Sequence, residues 1–353
     1  MDGKRSKKIR RLLTACALIL LFIVIVIVLA FAGRDVIGNL RGLDPRFIFV
    51  ALASYAGVQL AWGIKYYLLV KRKVKRAYFP YVMIANMVGN FVNVTTPSGR
   101  LAGEPVRAGA ISRRYRSSFG SVFAATMVDK MSLTIAMILI LIPLMIYTFI
   151  TFQVDPLIKY TVIGFIIFWF IIGALLYLLF KYLSESRAAK LGKGIYTTVK
   201  FFFKSRIGDR DQFIETIMKG IKDFKESFKS ISKNPFYMTI DIILGMLIYG
   251  FRFVAAYMFF IAIGHPVDFL IVAIVVHITF IIGLMSQFPG MVGIGETTMT
   301  GLYLAMGVNS GAAITVSILT QINMYAFEMG LGYIATVILN LVSLRKPKFL
   351  KKD

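Results

Sequence analysis

Charged side chains set in otherwise apolar sequence are the residues of this chain that could do chemistry. Arg100, Glu104 and Arg107 form the densest such group. Glu104 and Arg107 are three residues apart, so on a helix they share one face. An arginine can bind a phosphate through two parallel hydrogen bonds, and a helix beginning near Glu104 would point free backbone N–H groups toward the same place. The group therefore predicts a phosphate-binding site. The alternative is an Arg–Glu pair that only fixes the local structure.

The sequence around this group recurs later in the chain. Residues 97–104 read Pro-Ser-Gly-Arg-Leu-Ala-Gly-Glu, and residues 289–296 read Pro-Gly-Met-Val-Gly-Ile-Gly-Glu. In both segments six residues separate the proline from the glutamate, and a glycine directly precedes the glutamate. Proline and glycine interrupt helices, and non-helical backbone survives inside a bilayer only beside protein or a water-filled cavity. We predict that each segment is the tip of a helical hairpin, containing these residues: Pro97, Gly99 and Gly103 in the first, and Pro289, Gly290, Gly293 and Gly295 in the second.

Glu296 ends the second segment and corresponds to Glu104 in the first. A carboxylate in the first turn of a helix is favoured by the helix dipole, so Glu296 could cap its own helix. A carboxyl group inside a membrane could instead couple a proton or a substrate to transport. The sequence leaves both roles open, and Glu296 is retained as a candidate substrate-binding residue.

Three asparagines precede the first tip. Asn86, Asn90 and Asn93 are spaced at i, i+4 and i+7, which places them in one polar stripe on a helix. In lipid such a stripe must face protein or water. It could line a path for a polar headgroup, or it could hold two helices together by hydrogen bonds.

Further charges within or beside apolar segments include Asp129, Lys130, Asp241, Arg252 and Glu328. Asp129 and Lys130 are neighbours in sequence, so they point in different directions on a helix and should not pair with each other. We predict the pairs Asp129–Arg252 and Lys130–Glu328, acting as structural salt bridges.

The sequence offers little for a metal or a cofactor. Cys16 is the one cysteine, and the two histidines, His265 and His277, do not have the spacing of a zinc-binding helix. We therefore expect no metal site and no cofactor.

Composition indicates which solvent the chain requires. Hydrophobic residues make up 58% of the sequence and charged residues 16%, against about 25% charged in ordinary soluble domains. The net charge of +24 could indicate nucleic-acid binding. However, the basic residues stand in short runs between apolar segments, the pattern that orients helices in a membrane. The sequence predicts an integral protein of the cell membrane that binds no nucleic acid.

Eight apolar segments could form helices. A helix needs about 20 residues to cross the hydrocarbon layer, and most of the segments are long enough. The first could be a signal peptide, but its apolar core is too long for one and we favour an uncleaved span. The segments are Leu12–Ala32, Phe47–Val70, Tyr78–Val94, Phe119–Ile150, Leu157–Leu183, Phe236–Ile263, Phe269–Gln287 and Ala312–Val342.

Five basic clusters should all lie in the cytoplasm. Simple alternation of eight crossings cannot place them there. The conflict disappears if residues 78–111 enter the membrane from the cytoplasm and return to the cytoplasm. By the same logic, residues 269–307 enter the membrane from the outside and return to the outside. We predict a single all-α transmembrane domain over residues 1–353, with six full spans, two inverted re-entrant hairpins and both termini in the cytoplasm. Residues 184–234 should form a cytoplasmic amphipathic connector that either lies on the inner leaflet or is solvated.

The two tips, together with the Asp129–Lys130 pair, resemble the lysylphosphatidylglycerol synthase transmembrane-region family. The resemblance covers nearly the whole chain, and the two Gly-Glu motifs are its most specific parts. Three departures stand out: Ser98 is inserted in the first motif, Asp-Lys replaces the more usual Glu-Arg, and Gln321 stands where an arginine is common in the last helix.

The resemblance implies a flippase-like transporter that moves an anionic phospholipid or a polyprenyl phosphate-linked headgroup between leaflets. Family members that transfer lysyl groups carry a large soluble domain, and this chain ends at Asp353 without one. We therefore expect no enzymatic activity. Alternatives are an accessory subunit of a separate lipid-modifying synthase and, less favoured, a lipid-phosphate enzyme. Pro97-Ser98-Gly99 is similar to a lipid phosphatase motif, but Arg100 stands where that motif needs histidine.

Overall fold

The computed structural model describes residues 34–96, 100–151, 164, 167, 210–285 and 288–344. Within these ranges the regular structure is helical throughout and no strand occurs. A 3₁₀ turn, Pro289–Met291, follows α8, and a π turn, Ala326–Leu331, joins the last two helices. The α-helices are α1 (Arg34–Arg41), α2 (Pro45–Lys71), α3 (Phe79–Thr95), α4 (Gly103–Tyr115), α5 (Phe119–Thr151), α6 (Arg210–Ser232), α7 (Pro235–Ala262), α8 (Phe269–Met285), α9 (Ile294–Ala305), α10 (Ser310–Tyr325) and α11 (Gly332–Leu344).

Four of these helical stretches are long and apolar enough to cross a membrane. They are α2, α5, α7 and the continuous run from α10 into α11, Ser310–Leu341. Each coincides with one of the six predicted spans. The other two predicted spans, Leu12–Ala32 and Leu157–Leu183, lie outside the described residues, apart from the isolated positions 164 and 167. The chain is thus a helical membrane protein with several apolar helices.

Two of the spanning helices begin with the same local device. Asp44 precedes Pro45 at the start of α2, and its side chain accepts a hydrogen bond from the backbone N–H of Arg46. Asn234 precedes Pro235 at the start of α7 and accepts from the backbone N–H of Tyr237. Proline has no backbone N–H, so in the first turn it leaves no donor without a partner. The preceding side chain accepts from a backbone N–H that has no partner within the helix.

The core of the bundle is formed where α2, α5 and α7 pack together. Gly245 of α7 approaches Ala136 and Leu133 of α5 so closely that an added Cβ would lie 2.9 Å from the Ala136 methyl group. On the other side α7 packs along α2, where Phe251 covers Gly57. Small residues at such crossings bring helices together in membranes, where van der Waals packing is a principal source of association.

Helices α3 and α4 pack against each other, and so do α8 and α9. The backbone N–H of Tyr78, just before α3, donates to the Tyr115 hydroxyl at the end of α4 over 3.0 Å, so the two outer ends of the first pair lie side by side. The helices cross at Gly89 and Gly103, where a Cβ on Gly103 would collide with the Gly89 carbonyl. The short spacing of these two backbones explains why glycine precedes Glu104.

Helix α6, the described part of the predicted connector, packs against the start of α5. Phe224 contacts Phe123, and Ser227 lies 3.0 Å from Ser121. The opposite side exposes lysines, including Lys222. The predicted amphipathic pattern is present, but its apolar face covers protein, an arrangement that neither sequence interpretation included. Residues 184–209 lie outside the described part of the chain.

Candidate functional site

The first tip places an arginine in a strained backbone conformation. Arg100 has φ = 61°, in the left-handed region that residues with a side chain seldom adopt. The residue is 8% exposed, and its guanidinium reaches the second tip and the last helical run. Non-glycine residues held in this region often occur at functional sites, where surrounding contacts maintain the strain. Pro97 and Gly99, also predicted here, lie outside the described residues.

Six charged groups, five of them buried and the sixth, Lys130, with its side chain 21% exposed, form one alternating series through the bundle, here called the ion series. Its members, in order, are Lys130, Glu104, Arg107, Asp129, Lys65 and Asp241. Glu104 accepts from Lys130 at 2.9 Å and also pairs with Arg107. Three cations and three anions alternate, so the series is neutral when all six groups are charged. Neutrality and pairing are what allow charges to remain inside a bilayer.

Arg107 occupies the middle of the ion series and is 1% exposed. Its two terminal nitrogens donate to Asn86 Oδ1 at 2.6 Å and to Asp129 Oδ2 at 2.7 Å, and the guanidinium lies over the Tyr66 ring. The predicted helix-face pair with Glu104 is present. The contacts make Arg107 a connection between α3, α4 and α5, set back from the space between the tips.

Lys65 and Asp241 end the ion series where α2, α5 and α7 meet. Four oxygen atoms surround the Lys65 ammonium group at 2.6–3.0 Å, supplied by the side chain and carbonyl of Asp129, by Ser132 and by Asp241. Lys65 is fully buried. Lys65 was not predicted as a site residue. It is, however, the one charged residue inside the apolar segment Phe47–Val70, and an isolated charge in such a segment indicates a functional or structural role.

A second group, here called the arginine pair, links the tip of the first hairpin to the last helices. Arg252 donates to Glu328 Oε1 at 2.9 Å, and Arg100 lies 3.3 Å from Glu328 Oε2. The Tyr55 hydroxyl also donates to Glu328, at 3.1 Å. Glu328 belongs to the π turn, an element that is rare and frequent at functional sites. Two positive charges share one carboxylate here, so the arginine pair carries an excess positive charge.

The predicted pairing of these charges was wrong. Asp129 pairs with Arg107 and Lys65 rather than with Arg252, and Lys130 pairs with Glu104 rather than with Glu328. Spacing along the chain shows which charges share a helix face, but the register between helices is set by the glycine crossings. Asp129 and Lys130 do point to different partners, as their adjacency required.

A cavity of about 50 Å³ lies between the two groups of charges. Its lining is rich in hydrogen-bond donors. Trp62 Nε1 and Asn90 Nδ2 are buried and have no hydrogen-bond partner among the described residues. The lining residues include Trp62, Asn90, Asn93, Arg100, Lys130, Tyr249, Phe280 and Glu328. Two buried N–H donors without described partners, beside cationic side chains, suit an anion.

The asparagine stripe divides between the two roles that were left open. Asn86 and Asn93 hold the hairpin together, because Asn86 accepts from Arg107 and Asn93 both donates to Glu104 and accepts from the Gly103 N–H. Asn90, between them, faces the cavity with its amide N–H groups unused by any described residue. One polar stripe therefore supplies both the adhesion and one cavity donor.

At the second tip, Glu296 makes the helix cap, one of the two roles that the sequence left open for it. Glu296 Oε2 accepts from the backbone N–H of Gly293 at 2.8 Å, and Oε1 accepts from the Tyr325 hydroxyl at 3.2 Å. Gly290 and Gly293 have φ of 67° and 81°, so the turn needs glycine at both positions. An added Cβ on Gly295 would collide with the Gln321 amide. Glu296 thus caps α9 and ties it to α10.

The two tips contact each other. Arg100 lies 3.9 Å from Met291 Sδ in the second tip and 3.5 Å from Met324 Sδ in α10. Like Arg100, Met291 has a positive φ, of 59°. The two repeated segments therefore meet between Arg100 and the Pro289–Met291 turn. Among the described residues, no group of His, Cys, Asp and Glu side chains is placed to hold a metal ion.

Comparison with known proteins adds a family to this geometry. The sequence model described as lysylphosphatidylglycerol synthase TM region matches residues 13–332. The chain belongs to this family. A UPF0104 membrane protein of Pyrococcus horikoshii is 26% identical over 84% of this chain and 89% of its own length. A UPF0104 membrane protein of Methanocaldococcus jannaschii is 23% identical over 94% of this chain and 96% of its own length. No solved structure matches the chain.

Family membership covers both tips, the ion series and the arginine pair, because all of these residues lie within the matched range. The resemblance noted from the two Gly-Glu motifs is thereby confirmed. The names of the relatives state that they are membrane proteins and assign no activity.

Proposed function

We propose that this member of the lysylphosphatidylglycerol synthase transmembrane-region family is a flippase-like transporter. Its cargo is an anionic phospholipid or a polyprenyl phosphate-linked lipid, whose headgroup passes between the leaflets while the acyl chains stay in the bilayer. The observation that carries the proposal is the cavity between the hairpins, where buried donors without described partners, Trp62 and Asn90, stand beside Arg100 and Lys130.

The chemistry of the cavity matches a phosphate group. Phosphate oxygens accept several hydrogen bonds at once, and arginine and lysine supply both donors and opposite charge. A buried donor without a partner costs roughly 1–3 kcal/mol, which an arriving acceptor would recover. Phe280 lies under both guanidinium groups of the arginine pair, 5.2 Å from Arg100 and 4.7 Å from Arg252, and so holds them beside the cavity.

The size of the cavity indicates which state of a transport cycle this structure represents. About 50 Å³ can hold a few water molecules but not a lipid headgroup. Arg100 meanwhile bridges the two tips and the π turn. We interpret the structure as a closed state, in which the headgroup enters only when the tips move apart on one side.

The lengths of the paired helices support the re-entrant topology. Helices α4 and α9 have 13 and 12 residues, about two thirds of what a full crossing requires. Together with the side-by-side ends of α3 and α4, this favours six full spans and two inverted hairpins. We place both termini and the basic loops in the cytoplasm of a cell-membrane protein, following the distribution of lysine and arginine.

The proposal assigns no enzymatic activity to the chain. Among the described residues, the buried charged groups of the site are paired with one another, and the donors that remain suit binding rather than bond cleavage. Modification of the lipid, where it occurs, would belong to a separate synthase.

The test is lipid exchange in vesicles containing the purified protein. Phosphatidylcholine vesicles carry a trace of phosphatidylglycerol labelled on an acyl chain, and a membrane-impermeant reductant reports the fraction in the outer leaflet. We expect exchange with the wild-type protein and a loss of about tenfold or more in Asn90→Asp, which places a negative charge in the cavity. Asn309→Asp is the matched control, because Asn309 caps α10 and aspartate caps equally well.

Four results would each overturn the proposal. Wild-type vesicles could match empty ones across several anionic lipids, including a polyprenyl phosphate. The two aspartate variants could exchange lipid equally well. Release of phosphate or of a headgroup would favour an enzyme instead, and activity that appears only with an added synthase would favour the accessory role.

A further inference from the structure

The end of the ion series farthest from the cavity has one unused acceptor. Asp241 Oδ1 is buried and has no hydrogen-bond partner among the described residues, while Oδ2 contacts Lys65 at 3.0 Å and Ser132. Asp241 is 3% exposed. A buried carboxylate oxygen left without a donor is costly, and a bound proton would remove that cost.

The position of Asp241 gives it access to one side of the bundle. It lies six residues after the start of α7, and Lys65 lies six residues before the end of α2, so both are about two helical turns from the same end. This end carries the basic α2–α3 connection and α6, where Arg72 donates to the carbonyl of Ile231. The cavity is deeper, at the level of Met137 and Tyr249.

The charged groups around Asp241 are few and are linked to the cavity. From α2 it meets Lys65, and from α5 it meets Ser132 and, through Lys65, Asp129. On α8, His277 makes other contacts. Its Nε2 lies 2.9 Å from the carbonyl oxygen of Met137, and its ring meets the Tyr249 ring edge to face. In the described part of the chain, Asp241 therefore interacts electrostatically with the ion series alone.

Loss of the Asp241 charge would alter every pair in the ion series. Lys65 would keep one carboxylate partner, Asp129, and draw it away from Arg107. Arg107 would then depend more on Glu104, which would weaken the hold of Glu104 on Lys130. Lys130 lines the cavity and reaches the Arg100 carbonyl at 3.4 Å, so a proton at one end changes the donors available at the other.

We propose that Asp241 is the proton-binding site of a proton-coupled transport cycle, connected to the lipid phosphate site by the ion series. The inference rests on the proposed function. One proton binds to Asp241 Oδ1 from the water on one side of the membrane. It is released to the water on the other side later in the cycle, and no other bond is made or broken. The added positive charge offsets that of the anionic headgroup, so proton and lipid move in the same direction and the lipid accumulates in the leaflet facing the alkaline side.

The test imposes a pH gradient on the same phosphatidylcholine vesicles with labelled phosphatidylglycerol. We expect the wild-type protein to shift the label toward the alkaline side. Asp241→Asn should still exchange the label without a gradient but lose the accumulation, and Asp241→Glu should restore it. Asp268→Asn, in the α7–α8 connection, makes the same chemical change outside the ion series and should accumulate lipid as the wild type does.

The outcomes separate the two proposals. Proton coupling is overturned if the pH gradient does not change the distribution of label with the wild-type protein, or if accumulation persists in Asp241→Asn. Either result leaves the proposal of a lipid transporter standing. Absence of exchange in every sample overturns both. Infrared difference spectroscopy of the protein alone gives a measurement independent of lipid. In the wild type, the difference between spectra in mildly acidic and mildly alkaline buffer should contain a protonated carboxyl band. That band should be absent from Asp241→Asn. A band unchanged by that substitution counts against the site.

Discussion

Arg100 and Glu328 lie 3.3 Å apart, although they are 228 positions apart in the sequence. The contact joins the tip of the first hairpin to the π turn of the last helical run. Because Glu328 also binds Arg252 and Tyr55, one carboxylate holds three elements together beside the cavity. An arriving phosphate would carry the same charge as Glu328 and present similar oxygen atoms. Under the proposed function, we expect Glu328 to take the place of the lipid phosphate when the cavity is empty.

Glu328→Gln should make the protein depend on anionic lipid for its stability. Without the carboxylate, Arg100 and Arg252 keep two buried charges with no counter-charge, a change that typically costs about 3–5 kcal/mol. We expect a lower melting temperature in neutral detergent and recovery when phosphatidylglycerol is added. Glu226→Gln, on the exposed side of α6, should change neither. Equal melting of Glu328→Gln with and without anionic lipid would contradict the prediction.

Arg107→Met should destabilise the protein more than any substitution of a surface arginine. It leaves Glu104 and Asp129 competing for fewer donors in a site that is almost fully buried. We expect a loss of about 3–5 kcal/mol in the free energy of unfolding, measured by denaturant titration in mixed micelles. Arg113→Met changes an exposed residue on the same helix and should cost under about 1 kcal/mol. Similar losses in both variants would show that the ion series contributes little.

The sequence predicted the positions of the helices better than it predicted the partners of the charges. Hydrophobic length located α2, α5, α7 and the final run, because a bilayer admits few alternatives to a helix of about 20 residues. The Pro-x₆-Glu repeat located both tips. Pairing could not be deduced in the same way, because the contacts of Arg107 and Lys65 depend on how far each helix is rotated and shifted against its neighbours.

Lys65 and Asp241 illustrate that limit. Both were visible as charges in or beside apolar segments, yet nothing in their spacing connects residues 176 positions apart. Glu296 is the contrasting case. Its cap depends on Gly293, three residues away, and a local contact of that kind can be predicted from sequence alone.

Single cysteines should divide into two groups that react from opposite sides of the membrane. In a Cys16→Ala background, Arg113→Cys follows the first hairpin and Lys222→Cys lies on α6; both are exposed, and re-entrant topology places them on one side. His265→Cys and Ser310→Cys flank the second hairpin and should react from the other side. Impermeant maleimide added to oriented vesicles makes the distinction. Labelling of Arg113→Cys from the same side as His265→Cys would refute the first hairpin.

Gly103→Ala should weaken the first hairpin, because the new methyl group would meet the Gly89 carbonyl, a backbone atom that cannot move aside. Overpacking of this kind typically costs about 1–3 kcal/mol. Gly109→Ala lies in the same helix, and its new methyl group would have its nearest neighbour, a Phe119 ring carbon, at 4.0 Å. That variant should gain about 0.5–1 kcal/mol, since alanine favours a helix interior over glycine. Melting temperatures in detergent compare the two directly. If the melting temperatures of both variants rise, the helices of the hairpin do not cross at Gly103. Glu104 would then be positioned by something other than that contact.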